Sequence, residues 1–205
     1  MSSRTRLTAT ERRAQLVDVG RTVFAKRGYE ATSVEEIADR AKVSKPIVYE
    51  HFGGKEGLYA VIVDREMEYV IRRISEAIAS GTPRERVEHA ALAFLMYVKD
   101  HPDGFAILAH DTPLSSPSTG MASLLTDVAE RVGAVFATSF KAAGYDAKAA
   151  PIYAHALVGM ITFVGKWWTD VRKPSVEEVA KHIGALAWMG LRHLPKKPTL
   201  AIRPG

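Results

Sequence analysis

Between Thr32 and Lys55 the stretch TSVEEIADRAKVSKPIVYEHFGGK gathers side chains suited to a polyanion. Lys42, Lys45 and Lys55 carry charge, Ser33, Tyr49 and His51 offer hydrogen-bonding groups, and Pro46 and Ile47 add small apolar surface between them. Cations and short donors meet phosphates, whereas a lysine and apolar groups at the start of a helix can meet base edges in a major groove. A second group, His101-x-Asp103 with His110-Asp111, holds imidazole and carboxylate ligands that could take a divalent metal for hydrolysis. Its spacing matches no strong ligand set, and Asp103 reads equally as the start of a helix opened by Pro102, with His110 and Asp111 at its exit. The chain has no Gly-rich phosphate loop, no G-x-S-x-G elbow and no H-E-x-x-H. It has no cysteine, which removes thiolate metal sites, cysteine nucleophiles and disulfides. Neither a cofactor nor a metal is implied.

The balance of charge favours the first group. Residues 1–55 carry eleven Lys/Arg against seven Asp/Glu, whereas residues 56–205 carry seventeen against sixteen. A basic first quarter on a nearly neutral remainder points to a polyanion partner for that quarter. With 205 residues, 47% hydrophobic and 25% charged, the composition is that of a globular protein able to build two small domains or one two-part body. The basic, polar start MSSRTRLTATERRAQ lacks a following apolar run, and no stretch of about 18 uncharged apolar residues is seen, so the expectation is a cytoplasmic protein with no membrane partner.

The elements that must hold these residues are helical. Apolar residues recur three and four apart, with no convincing period-two run, so the expected class is all-α. Leu16, Val19, Val23 and Phe24 form a stripe ending at Gly28, giving a first helix over about 10–27. Ser33 can cap a second, with Glu36 reaching back in a capping box and Val34, Ile37, Ala38 and Ala41 buried. Ser44 caps a third of about eight residues, Pro46 lies in its first turn, and Gly53-Gly54 stops it. A long helix over 55–80 follows, then helices at about 84–99, 102–110, 120–143, 147–171 and 175–193. Residues 195–205, with three prolines and three basic residues, read as a disordered tail.

Two short helices joined by a tight turn, between a longer helix and a long one, are a helix-turn-helix whose second member can enter a major groove. TSVEEIADRAKVSKPIVYEHFGGKEGLY also resembles the DNA-binding signature of the tetracycline-repressor (TetR) family, in which a capped helix leads into V-S-x-x-x-x-Y-x-H-F, a Lys-Glu pair and Leu. The resemblance runs from about Arg12 to Tyr59. It implies an N-terminal three-helix DNA-binding domain over 1–55, a ligand-binding and dimerisation domain over 56–194, and a double-stranded operator as partner. It further implies that Ser33, Tyr49, His51 and Lys55 touch phosphates, that Lys45 reads bases, best guanine, and that Pro46 and Ile47 meet thymine methyls. Phe52 would pack inward with Val43 and Val48. Where the family usually has glycine in the turn this chain has Lys42; at positive φ a lysine costs about 1 kcal/mol, which an added phosphate contact can offset.

In the remaining two-thirds, Phe94, Tyr97, Phe105, Leu108, Phe136, Phe140, Phe163 and Trp167 are more aromatic and bulky material than a small helical core needs. The resemblance implies that some line a cavity for a small apolar effector, oriented by polar groups such as Tyr97, Asp111 or Tyr153. Near the C-terminus, Leu157, Ile161, Val164 and Trp168 on one helix and Val179, Ile183 and Leu186 on the next belong to surfaces apolar nearly all round, which need burial on two sides. With Gly159, Gly165, Gly184 and Gly190 allowing close approach, they fit the four-helix homodimer interface that the resemblance implies, a thick monomer core being the alternative. The expected function is a sequence-specific transcriptional regulator, a repressor released by its effector, and not an enzyme. An architectural DNA binder without effector is the alternative; it requires a filled core over 84–170.

Overall fold

The computed structural model describes residues 7–109 and 121–199; His110 and Asp111 and the end of the tail from Leu200 lie outside the described residues. Among the described residues there are nine α-helices, one 3-10 turn and no strand. They fall into two compact units, one within Met1–Tyr69 and His101–Ser123, the other within Val70–Asp100 and Leu124–Gly205.

The first unit begins with α1 (Ala9–Arg27), whose start is set one residue before the expected position by a reciprocal capping box: Thr8 Oγ1 accepts from the Glu11 N–H at 3.2 Å, and the Glu11 carboxylate accepts from the Thr8 N–H at 2.8 Å. Its apolar stripe buries Leu16, Val17, Val23 and Phe24, and Gly28 at φ 75° ends it. Helix α2 (Val34–Ala41) and α3 (Lys45–Phe52) pack Ile37, Ala38, Ala41 and Val48 into the same core as Leu58 and Ile62 of α4 (Lys55–Ile78). Gly20 is what lets α1 meet α4: a Cβ there would lie 2.9 Å from Leu58 Cδ2. Phe24, Tyr29 and Tyr59 form a ring cluster with centroids 5.0–6.0 Å apart, tying the α1–α2 connection to α4. Glu66, 5% exposed, is neutralised by Arg21 at 3.0 Å. Helix α6 (Pro102–Ala109) joins this unit through buried Phe105, Ile107 and Leu108, and the Thr22 hydroxyl donates to the Asp103 carboxylate at its first turn at 3.0 Å.

The second unit is organised on α5 (Pro83–Asp100), which packs against α8 (Ala150–Val171) and α9 (Val176–Arg192). Two glycines set the spacing: a Cβ on Gly165 would come 2.8 Å from the Phe94 ring, and one on Gly184 would come 2.5 Å from Glu88 Cγ. The Lys99–Glu177 ion pair at 3.8 Å and the Glu88–Gly184 approach show that α5 and α9 run antiparallel. Helix α7 (Met121–Ala143) contributes buried Leu124, Val128 and Phe140, and the 3-10 turn Ala147–Ala149 leads into α8. Ala147–Val171 is long and apolar enough by composition to cross a membrane, although Lys148 and Lys166 interrupt it. The reason lies in its two apolar faces: one packs on α5, and only 22% of its most apolar window is buried within the chain.

Candidate functional site

Helices α2 and α3 are joined by a three-residue turn whose geometry follows from Lys42. It adopts φ 55°, ψ 46°, the left-handed conformation that favours glycine, and the Val43 N–H then closes back on Ala38 O at 3.0 Å. At the head of α2, the Ser33 hydroxyl accepts from the Glu36 N–H at 3.2 Å. The expected return bond from Glu36 is replaced: its carboxylate pairs with Arg27 at 2.7 Å and Arg40 at 3.1 Å, and the Arg27 hydrogen bond, despite partial desolvation, holds its pKa below the usual value. Two cations outbid one backbone N–H for that side chain.

Helix α3 stands on Val48, which is fully buried, and turns Lys45, Pro46 and Tyr49 to solvent, with Ile47 and His51 half-buried. Lys45 forms an ion pair with Glu35 of α2, and its ammonium lies 5.9 Å from the Tyr49 ring centroid. Their mutual hydrogen bond is the leading cause that raises the lysine's pKa and lowers the carboxylate's. Phe52 is half-buried, with the Arg13 guanidinium 4.5 Å from its ring centroid, a cation that periodicity did not reveal. Gly53 (φ 71°) and Gly54 (φ 134°) end the helix, Gly54 seated against the Tyr49 ring. Lys55 is half-buried: its ammonium donates to Tyr29 O at 3.1 Å and lies 4.2 Å from the Tyr29 ring centroid. All eight residues selected from sequence sit in this one unit, and six of them line the α2–α3 turn and the outer side of α3.

The second unit encloses a cavity of about 280 Å³, walled by the end of α4 and by α5, α7, α8 and α9. Of the residues expected to line it, Phe94, Phe136 and Phe140 do. Phe105 and Leu108 belong instead to the core of the first unit, because α6 packs on α1. Tyr97 is buried but does not line the cavity, nor does Tyr153, which meets Phe140 edge to face at 5.4 Å. Phe163 and Trp167, 76% and 47% exposed, point away from the chain's own interior. Leu157 and Ile161, expected at an interface, line the cavity, together with Trp188 and the arginines Arg86 and Arg192, which sequence reasoning did not select.

Residues 16–62, from within α1 to the middle of α4, match the family described as bacterial regulatory proteins of the tetR family, and residues 71–200 match the tetracyclin repressor-like C-terminal domain. The chain belongs to the TetR family. Among its relatives, the HTH-type transcriptional activator FasR of Mycolicibacterium smegmatis is 30% identical over 192 residues, covering 93% of this chain and 87% of that protein. The HTH-type transcriptional repressor KstR2 of Rhodococcus jostii is 37% identical over 70 residues, a third of each chain. A TetR-like regulator from Rhodococcus sp. RHA1 has the same fold, with a TM-score of 0.73 at 26% identity over 92% of this chain and all of that one. This is a DNA-binding transcriptional regulator rather than an enzyme.

On this TetR-family chain, the apolar residues of α8 and α9 divide into two sets. Ile161, Trp168, Val179 and Ile183 are buried within the chain, Val164 and Leu157 are half-buried, and of the residues expected at an interface only Leu186 is openly exposed, at 67%. The open set is Ile152, Phe163, Trp167, Val171, Leu186 and Met189. The glycines divide likewise, Gly165 and Gly184 facing α5, Gly159 and Gly190 meeting no atom within 4 Å of an added Cβ. Period alone does not say which side of a two-faced helix meets its own core. Among the described residues no group of three metal-ligating side chains occurs. The His101 ring lies tilted at 4.7 Å from the Tyr69 ring and Asp103 accepts from Thr22, while His110 and Asp111 lie outside the described residues.

Proposed function

We propose that two copies of this chain, joined through the exposed faces of α8 and α9, bind one palindromic operator in the cytoplasm and repress by occluding a promoter until an apolar effector fills the cavity. The observation that carries the DNA-binding part is α3 itself: a helix seated on buried Val48 that exposes Lys45, Pro46 and Tyr49, side chains suited to base edges and phosphates. Ser33 and His51 would add phosphate contacts from either side, Ile47 would add apolar contact to bases, and Lys42 would set a charge beside the turn. The homodimer is supported by Phe163, Trp167, Leu186 and Met189, whose exposure on two neighbouring elements of one unit is more than scattered surface residues explain. The effector is supported by the 280 Å³ cavity, where an architectural DNA binder would have a filled core.

Selection of binding sites from randomised DNA followed by footprinting tests the reading. The expected result is inverted half-sites about one helical turn apart, protected by a dimer, with a promoter element inside the footprint. A single, non-repeated site bound by a monomer would overturn the dimeric reading, and a footprint upstream of the promoter would make the chain an activator, as FasR is named.

A further inference from the structure

The cavity wall contains two side chains that its apolar character does not explain. Among the described residues, Arg86 and Arg192 are the cations of its lining, and no carboxylate lines it. Because α5 and α9 are antiparallel, Arg86, in the first turns of α5, and Arg192, the last residue of α9, lie at the same end of the cavity. Phe94, Leu124, Val158 and Ile161, all buried, form the rest of its depth.

Other cations on these two helices are matched: Arg84 pairs with Glu88 at 2.7 Å, Lys99 with Glu177 at 3.8 Å and Lys181 with Glu178 at 3.1 Å. Among the described residues Arg86 and Arg192 form no ion pair; Arg86 spends one N–H on Gly81 O at 3.1 Å and keeps the rest of its fork. Two hydroxyls of the wall are already spent, Ser139 donating to Val135 O at 3.2 Å and Tyr145 to Leu194 O at 3.1 Å. A neutral occupant would leave both guanidinium groups without a counter-charge, and a cationic one would be repelled. A carboxylate or phosphate matches the planar fork of an arginine in two parallel hydrogen bonds.

We propose that the cavity takes an amphiphile with one acidic head group, its hydrocarbon part running toward Phe94 and Ile161 and its carboxylate or phosphate held between Arg86 and Arg192. At roughly 30 Å³ for a water-sized group, the volume holds a hydrocarbon of about nine or ten carbons. This assignment rests on the cavity being the effector site and narrows its ligand class.

The test uses the full chain and four probes of one length: decanoate, decyl phosphate, decanol and decylamine, titrated calorimetrically below their micellar concentrations. At least one of the two acids should bind about tenfold more tightly than decanol, with decylamine weakest. Decanoate alone preferred names a carboxylate head, decyl phosphate alone a phosphate. In Arg192→Gln, and in Arg86→Gln with Arg192→Gln, acid affinity should fall to that of decanol while decanol is unchanged. Arg192 is exposed, so the single variant keeps the test valid if the double variant does not fold. Decanol binding as tightly as both acids, an acid preference that survives in the single and double variants, or no binding of any probe would overturn the assignment. Operator release is read separately. Selective acid binding without release leaves the head-group assignment standing and removes the regulatory reading, whereas release by decanol and acids alike does the reverse.

Discussion

Lys45, the first residue of α3, is held by Glu35 of α2 across the turn between them, both side chains exposed. The cation assigned to base readout therefore has an intramolecular competitor for the same donor. In free protein the pair holds the ammonium at Glu35; to meet DNA it must exchange that carboxylate for a base edge or phosphate.

Glu35→Gln should consequently tighten binding to operator and random DNA, because it removes both the competing partner and a negative charge facing phosphates. The effect should be constant across neutral pH. Glu35's folded pKa is depressed, so the pair is present above the ordinary carboxylate range and lost only as pH falls through the lowered value; Lys45's is raised, so the pair fails only as pH rises through that value. Lys45→Ala, by contrast, should relax preference at one base pair of each half-site by about tenfold. Titration against a panel of single-base operator variants separates the two. Equal loss on every sequence would remove Lys45 from base readout.

Lys42→Gly should stabilise the chain by about 1 kcal/mol, since φ 55° costs a residue with a Cβ what it does not cost glycine. For a chain of this size that is an increase of about 2–4 °C in Tm. An unchanged or lower Tm would mean that the lysine side chain recovers the cost locally. DNA affinity, measured on the same variant, reports whether its charge also reaches a phosphate.

Loss of Lys55 should act on the scaffold first. Its ammonium is committed to Tyr29 O and the Tyr29 ring, so Lys55→Ala should cost about 1 kcal/mol of stability and loosen the α1–α2 connection. Operator binding would weaken on all sequences alike, with the salt dependence nearly unchanged. A slope reduced by about one per half-site would instead place Lys55 on a phosphate.

The helices were legible because their ends carry local chemistry. Ser33, Ser44, Gly28 and Gly53 mark the boundaries of α1 to α3 within a residue, Ser44 by position alone because its side chain makes no capping hydrogen bond, and the Thr8–Glu11 box starts α1 one residue before the expected position. Lys45, Pro46, Ile47, Tyr49 and His51 were legible as a group because they fall on one eight-residue helix at fixed spacing. The cavity was not. Phe163 and Phe136 look alike in a helical stripe, yet one is 76% exposed and the other lines a cavity, and Arg86 and Arg192 sit 106 positions apart with nothing local to join them. Which side of an apolar helix faces its own core is decided by α5, a contact that no local pattern encodes.

That division predicts how the dimer fails. Phe163→Glu and Leu186→Glu place a charge on open surface and should give folded monomers, seen as a halved mass in sedimentation with far-UV dichroism intact and operator affinity reduced. Ile183→Glu, at a position 5% exposed inside the protomer, buries an unpaired carboxylate and should unfold the chain instead. Dimers that persist in both surface variants would show that the two copies meet elsewhere.

Coupling between cavity and DNA is the most demanding expectation. Helix α4 runs continuously from Lys55, beside the DNA-binding helices, to Ile78, which lines the cavity, so a ligand that shifts the end of this helix biases its start. The ligand must bind the DNA-released state more tightly, because equal affinity for both states moves nothing. A coupling of about 1–3 kcal/mol would lower operator affinity by about 5- to 150-fold, and by linkage the operator must weaken ligand binding by the same factor. Titrating one cavity ligand with and without saturating operator, and the operator with and without that ligand, gives two ratios that must agree. Ratios near one for every cavity ligand would leave the chain a DNA-binding protein whose cavity does not regulate it.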